Sequence, residues 1–134
     1  MRAKATLLSQ RNDWKTPKGF YQALDGEFGF DFDPCPPDPG FDGLSIDWGT
    51  INFCNPPYRD LAKWIQKGHE QWCKGKTVVF LIPARTDTKA WHRFILPDAH
   101  EIRFIKGRLY FDDGAGRATF PSVVVVFRAE EKTK

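Results

Sequence analysis

The chain has no apolar run approaching the ~18 residues that a membrane-crossing helix requires, which excludes a transmembrane helix. The opening MRAKATLLSQRNDW is basic but carries only a short apolar patch, too small for the core of a signal peptide. Cysteine is scarce. Cys35, Cys54 and Cys73 are odd in number, widely spaced and without a CxxC pair, which argues against a disulfide framework and against a zinc site. Buried free thiols in a reducing cytoplasm are the simpler reading. Neither an internal repeat nor a low-complexity linker interrupts the chain. No charge sign dominates either: a net charge of +3 permits a nucleic-acid partner without demanding one.

What is present suits one domain. A chain of 134 residues buries about 68–70% of its unfolded surface around a single core. Twelve Phe and five Trp supply bulky material for it. Residues 1–11 read as a mobile arm, 12–128 as the domain and 129–134 as a tail.

The pattern along the domain alternates. DWKTPKGFYQALDGEFGF predicts a helix with Thr16 as N-cap and Pro17 in the first helical position. Phe20, Leu24 and Phe28 fall near one of its faces, and Gly26 and Gly29 fray its end. FGFDFD alternates as a short strand that stops at Pro34, and the Pro-, Gly- and Asp-rich stretch from Cys35 to Gly49 is loop. A strand through Ile51, Phe53 and Cys54 follows. Leu61, Trp64, Ile65, Gly68 and Trp72 then line one side of a helix, with Lys63, Lys67 and Glu70 outside. TVVFLIP reads as a central parallel strand covered on both faces. Thr86 or Asp87 caps a helix carrying Trp91, Phe94 and Ile95 and stopped at Pro97. EIRFI, RLYF and SVVVVF are the closing strands. This order predicts an α/β sheet sandwiched by helices, with an antiparallel hairpin at the end.

INFCNPPYRD carries the chemistry. Pro56 and Pro57 end a strand abruptly, because proline has no N–H for the ladder. Asn55 therefore sits at the carboxyl end of a strand, where α/β sheets bind ligands. An exocyclic amine on a nucleobase is a poor nucleophile, since its lone pair is delocalised into the ring. Two acceptors aimed at its two N–H bonds favour the pyramidal geometry that frees the lone pair. The Asn55 side-chain oxygen and the Pro56 carbonyl form such a pair, and Tyr58 can stack on the base. This is catalysis by positioning and electrostatics. A base inside a duplex must be extruded to reach the pocket, at a cost of a few kcal/mol.

Other polar residues have blander readings beside functional ones. His92, in PARTDTKAWHR, reads as a structural hydrogen-bonder, while Arg85 and Asp87 shape the mouth of the site, with Arg85 facing DNA. Lys63, Lys67 and Lys74 look like a solvated face. Arg103, Lys106 and Arg108, with Arg117 in the DDGAGRATF loop, suit a phosphate-gripping edge. Cys54 and Cys73 read as core thiols.

The NPPY loop and the chain around it resemble the phage-type, Dam-like DNA N6-adenine methyltransferases. The resemblance rests on DWKTP at 13–17, EFGFDFDPC at 27–35, DGL at 42–44 and FCNPPY at 53–58. It continues through VVFLIPARTDTKAWHRFIL at 78–96, EIRFIKGRLYF at 101–111 and FPSVVVVFR at 120–128. It implies a compact Rossmann-like class I methyltransferase fold, with a mostly parallel sheet and a C-terminal antiparallel hairpin. It also implies S-adenosylmethionine as methyl donor and adenine in double-stranded DNA as acceptor, with no metal and no membrane. The setting it implies is the cytoplasm of a bacterial host, with the protein phage- or prophage-encoded. Asn55, Pro56, Pro57 and Tyr58 would form the catalytic loop. Thr16 and Pro17 look like the TP element that holds the donor's carboxylate at a helix N-terminus. Asp33 and Cys35 would line the donor pocket, and Asp42 would accept from the donor's ribose or adenine. The glycine-rich FxGxG turn of many methyltransferases is replaced here by DPCPPDPG.

Two other functions remain open from sequence. One is an NPPY methyltransferase acting on RNA or on a protein glutamine. The other is a non-catalytic DNA-binding accessory domain. The chain is too short for a separate target-recognition domain, so recognition through loops and a short or weak sequence preference are expected.

Overall fold

A computed structural model describes residues 16–36, 40–111, 116–117 and 120–130. The expected arm at 1–11 and the end of the tail, residues 131–134, lie outside the described residues, as do most of the DDGAGRATF loop and residues 37–39.

Helix α1, Lys18–Phe28, is one residue shorter at its start than the sequence suggested. Pro17 is its N-cap in extended conformation (ψ 133°), and no side chain caps the helix, so Thr16 does not serve as N-cap. Gly29, left-handed at φ 69°, closes the helix by donating its N–H to the Asp25 carbonyl. The FGFDFD stretch forms a single parallel bridge, Phe32 to Asn52, instead of a full strand. Side chains take over the pairing there: Asp31 Oδ1 accepts the N–H groups of Thr50 and Ile51 at 3.0 and 3.1 Å.

Strand β1, Ile51–Cys54, leads into a 3-10 turn at Tyr58–Asp60 and then helix α2, Leu61–Cys73. Leu61, Trp64, Ile65 and Gly68 of α2 are buried as the spacing predicts. Gln71 is buried too, while Trp72 is half-exposed and donates to the Arg128 carbonyl. Gln71 is satisfied: its Oε1 accepts from Trp48 N–H and Lys76 Nζ, and its Nε2 donates to Asp47. Strand β2, Thr77–Pro83, is buried from Val78 onward. Helix α3, residues 89–98, contains a π-helical turn at Trp91–Ile95 followed by Leu96–Asp98. It ends at Asp98, one residue past Pro97. The widened turn, in which Leu96 N–H bonds the Trp91 carbonyl, brings the chain to a residue that has no N–H to give. No side-chain cap from Thr86 or Asp87 starts α3; the Thr88 hydroxyl instead donates to the Arg85 carbonyl.

Strand β3, Glu101–Phe104, is followed by the two-residue strands β4, Tyr110–Phe111, and β5, Gly116–Arg117, which pair with each other. The last strand, β6, Ser122–Phe127, does not join that pair. It is inserted between β2 and β3, antiparallel to both. The sheet order is β1-β2-β6-β3, with β1 and β2 parallel. Three strands thus run one way and β6 the other, and the small antiparallel pair lies outside the main sheet.

Both faces of the sheet are covered. Val78, Phe80 and Ile82 point to the side packed by Trp64 and Ile65 of α2 and Trp91 and Ile95 of α3. Val79 and Leu81 point to the side of Leu24, Phe20 and Phe28 of α1. All six residues of β6 are buried, which suits a β-branched run with cover on both faces. Cys54 is a core thiol as expected, whereas Cys73 is exposed at the end of α2.

Candidate active site

The parallel strands set the site. Residue alternation sends Phe53 to the α1 side of the sheet and Cys54 to the opposite side. The next residue, Asn55, returns to the α1 side, and there its Nδ2 donates to the Thr16 hydroxyl oxygen at 3.0 Å. The bond fixes where the amide lies, although a hydroxyl can accept or donate and so would hold either end of it. With nitrogen turned toward Thr16, the buried Oδ1 is turned the other way. Thr16 is therefore part of the site, but as the partner of Asn55 and not as a helix cap. No motif in the sequence signals that pairing across 39 positions.

Pro56 is buried and Pro57 is extended (ψ 143°) at the start of the 3-10 turn. Tyr58 meets Phe120 edge-on, with ring centroids 5.0 Å apart and planes at 89°. Burial pushes the Tyr58 hydroxyl well above the usual phenol range, with the Arg85 charge pulling the other way. Arg85, exposed just beyond β2, thus stands near the tyrosine of the NPPY loop. Phe120 was not singled out from sequence. Its signal was an aromatic placed directly before Pro121 and the valine run.

Asp33 follows the Phe32 bridge and lies at the same end of the sheet as Asn55. Burial raises its carboxyl from 3.8 to about 6, opposed by the hydrogen bond from Cys35 N–H at 2.8 Å. Tyr21, one turn into α1, packs edge-on against Phe53 at 5.1 Å. Its hydroxyl is raised by burial and then by the charges of Asp25 and Asp33. Thr16, Tyr21 and Asn55 therefore lie on the α1 side, with Asp33 close enough for its charge to act on both Tyr21 and Cys54, and Tyr21 is a neighbour that sequence reasoning did not pick out. Cys54 lies on the other face; burial, then the nearby Cys35 and Asp33, raise its thiol.

Asp42 is exposed and occupied within its own loop: it accepts from Leu44 N–H at 3.0 Å and from the Ser45 hydroxyl at 2.7 Å. That loop is held against the Asp33–Cys35 turn at Gly43, where any Cβ would come within 2.0 Å of the Pro34 carbonyl oxygen. The start of α1 has neither a side-chain cap nor an acidic residue in its first turn. An anion can therefore be received there without displacing a resident carboxylate.

The basic residues separate into two kinds. Arg103 closes its fork on Glu27 (2.6 and 2.5 Å) and bonds Glu101 at 3.0 Å through Nε. Glu101 also bonds Arg128. The expected phosphate contact at Arg103 thus becomes part of an internal ion network, because two carboxylates satisfy the guanidinium. Lys106 and Arg108 are exposed, and among the described residues neither has a carboxylate partner. The Arg117 side chain lies outside the described residues. His92 Nε2 donates to the Thr86 carbonyl at 2.8 Å, a structural bond. Asp87 is exposed.

Among the described residues, no helix is long and apolar enough to cross a membrane, and no cluster of three metal-binding side chains occurs.

The mixed α/β sheet carries a polar cluster beyond its carboxyl edge, where open α/β sheets bind ligands. The family model for the DNA N-6-adenine-methyltransferases (Dam) matches residues 3–132, nearly the whole chain. The chain belongs to this family of DNA methyltransferases. No curated protein matches it.

Proposed function

We propose that the chain transfers a methyl group from S-adenosylmethionine to the N6 amino group of an adenine extruded from duplex DNA. The observation that carries this reading is the Asn55–Thr16 hydrogen bond, which holds the amide at the end of β1 with its nitrogen toward Thr16 and its oxygen on the other side. With the Pro56 carbonyl, that oxygen would accept hydrogen bonds from the two N–H groups of the exocyclic amine. The lone pair would attack the methyl carbon as its bond to the sulfonium sulfur breaks, leaving the donor as a neutral thioether, and the methylated amine would then lose one proton to water. Pro57 stiffens the loop, and Tyr58, braced by Phe120, gives the base an aromatic surface.

The donor supplies an electrophilic methyl group on a sulfonium. The residues here fit such a molecule. The uncapped start of α1 suits its carboxylate. The buried Asp33, raised to about 6 by burial, suits its positive charge, which would favour the ionised carboxylate. Cys35 and the Asp42 loop lie alongside. We read the three like-directed strands, with reversed β6, as a compact Rossmann-like methyltransferase sheet. Lys106, Arg108 and Arg85 would meet the DNA backbone. A cytoplasmic setting in a bacterial host, with phage or prophage origin, fits the same reading.

The test is to incubate the protein with methyl-labelled donor and adenine-containing duplexes, and then to identify the modified nucleoside by mass spectrometry. N6-methyladenine is the expected product. Label confined to protein or RNA, or donor binding without transfer, would overturn the reading.

A further inference from the structure

We propose that Cys73 is a reactive thiol and a site of covalent modification by low-molecular-weight disulfides, with His69 as its base and Asp98 holding that base in position. Cys73 is the last residue of α2 and is exposed, whereas Cys54 is buried. One turn earlier on the same helix, His69 places Nδ1 3.9 Å from the Cys73 sulfur. The other side of the ring meets a different helix: Nε2 lies 2.7 Å from Oδ2 of Asp98, at the end of α3. A carboxylate can only accept, so Nε2 carries the hydrogen of the neutral ring and Nδ1 the lone pair. The lone pair therefore faces the thiol.

Packing holds the ring in that place. Its centroid is 5.0 Å from that of Phe94, 5.3 Å from Trp72 and 5.9 Å from Phe127. Lys74, beside Cys73, is engaged by Asp47 at 2.9 Å. An ion pair that only tied α2 to α3 would need His69 and Asp98 alone. A nucleophile, a base within its reach and a third group orienting the base are the parts of an activated thiol.

The cluster lies away from the methyl-transfer site. Cys73 leads through a short turn to Thr77, the first residue of β2, and Asp98 leads to Glu101, the first of β3. Both therefore stand at the amino edge of the like-directed strands, while Asn55 stands at the carboxyl edge. Along α2, Leu61 and Cys73 are about 18 Å apart at about 1.5 Å per residue.

The step is an exchange. His69 Nδ1 takes the thiol proton as the Cys73 sulfur attacks one sulfur of the disulfide. The S–S bond of the small molecule breaks and a mixed disulfide forms on Cys73. The departing thiolate takes the proton back from His69 and leaves as a thiol. One disulfide and one thiol enter, and one of each leaves.

The whole chain, incubated with oxidised glutathione and sampled by peptide mass spectrometry, gives the rate at each cysteine. We expect Cys73 to react first. We expect it to react roughly tenfold faster in the folded wild type than in the same chain unfolded in urea, where base and thiol are parted. His69→Gln should bring the folded rate down to the unfolded one. Asp98→Asn should slow the reaction severalfold, and Asp98→Glu should restore part of the loss. A first reaction at Cys35, a folded rate no higher than the unfolded one, or an unchanged rate in His69→Gln or Asp98→Asn would overturn the proposal. The wild-type comparison decides it even where a variant fails to fold. Neither DNA nor the methyl donor enters the assay, so its outcome is independent of the methyl-transfer reading.

Discussion

The Asn55 amide nitrogen meets the Thr16 hydroxyl at 3.0 Å, joining the end of β1 to the residue before the cap of α1. An amide has a donor end and an acceptor end, and only one of them suits a target amine. The Thr16 hydroxyl holds that amide in place, and without it the side chain would sample more rotamers.

Thr16→Val keeps the shape of the side chain and removes the hydroxyl. One neutral hydrogen bond is worth about 1 kcal/mol, so turnover is expected to fall roughly fivefold. Thr16→Ser should remain close to wild type. Single-turnover methylation with saturating donor reads the difference, and an unchanged Thr16→Val would separate Thr16 from the chemistry.

Asp33 predicts a pH-dependent trade. Its folded pKa of about 6 exceeds the ordinary 3.8 because of burial. Its contribution to stability is then fully present below about pH 4 and lost as pH rises through about 6. Asp33→Asn, which still accepts from Cys35 N–H, should gain roughly 2–3 kcal/mol at most at pH 8 and almost nothing at pH 4. The same variant should bind S-adenosylmethionine less tightly at pH 8. Denaturant titrations at the two pH values and calorimetric binding check both halves.

Gly68 is where α2 lies directly on the sheet. A Cβ there would come within 2.2 Å of Phe80 Cζ and 2.6 Å of its Cε2, on a ring that is fully buried. Gly68→Ala gains about 1 kcal/mol of helix propensity but overpacks the core by about 1–3 kcal/mol. A lower denaturation midpoint is expected; a higher one would mean that the ring shifts at little cost.

The exposed cations should separate in salt. If Lys106 and Arg108 touch phosphates, alanine at each should reduce the slope of log K against log salt by about 0.9. Arg103→Ala should leave that slope nearly unchanged, because the guanidinium is already held by Glu27 and Glu101. A drop of similar size for Arg103 would show that the ion network opens when DNA binds.

The sequence carried the local parts of this fold well. Apolar spacing marked the face of α2 from Leu61 to Gly68, and the double proline marked the end of β1. What it did not carry was non-local or depended on side chains replacing backbone pairing. Nothing in SVVVVF says that β6 inserts between β2 and β3. FGFDFD alternates like a strand, yet Asp31 takes the N–H groups of Thr50 and Ile51, and one bridge remains. Pro97 reads as a stop, and the helix ends one residue past it at Asp98, but nothing in the sequence marks the π turn just ahead of it. In the site, Asn55 was legible from its motif. Tyr21 and Phe120 were not, because an aromatic in a helix or before a strand reads first as core.

The central claim is that a fixed Asn55 oxygen sharpens an adenine nitrogen as a nucleophile. Its most direct test is single-turnover methylation of an adenine duplex by Asn55→Ala, alongside equilibrium binding of the donor. Loss of transfer by on the order of a hundredfold or more, with donor affinity close to wild type, is the predicted result. Transfer at the wild-type rate would contradict the claim.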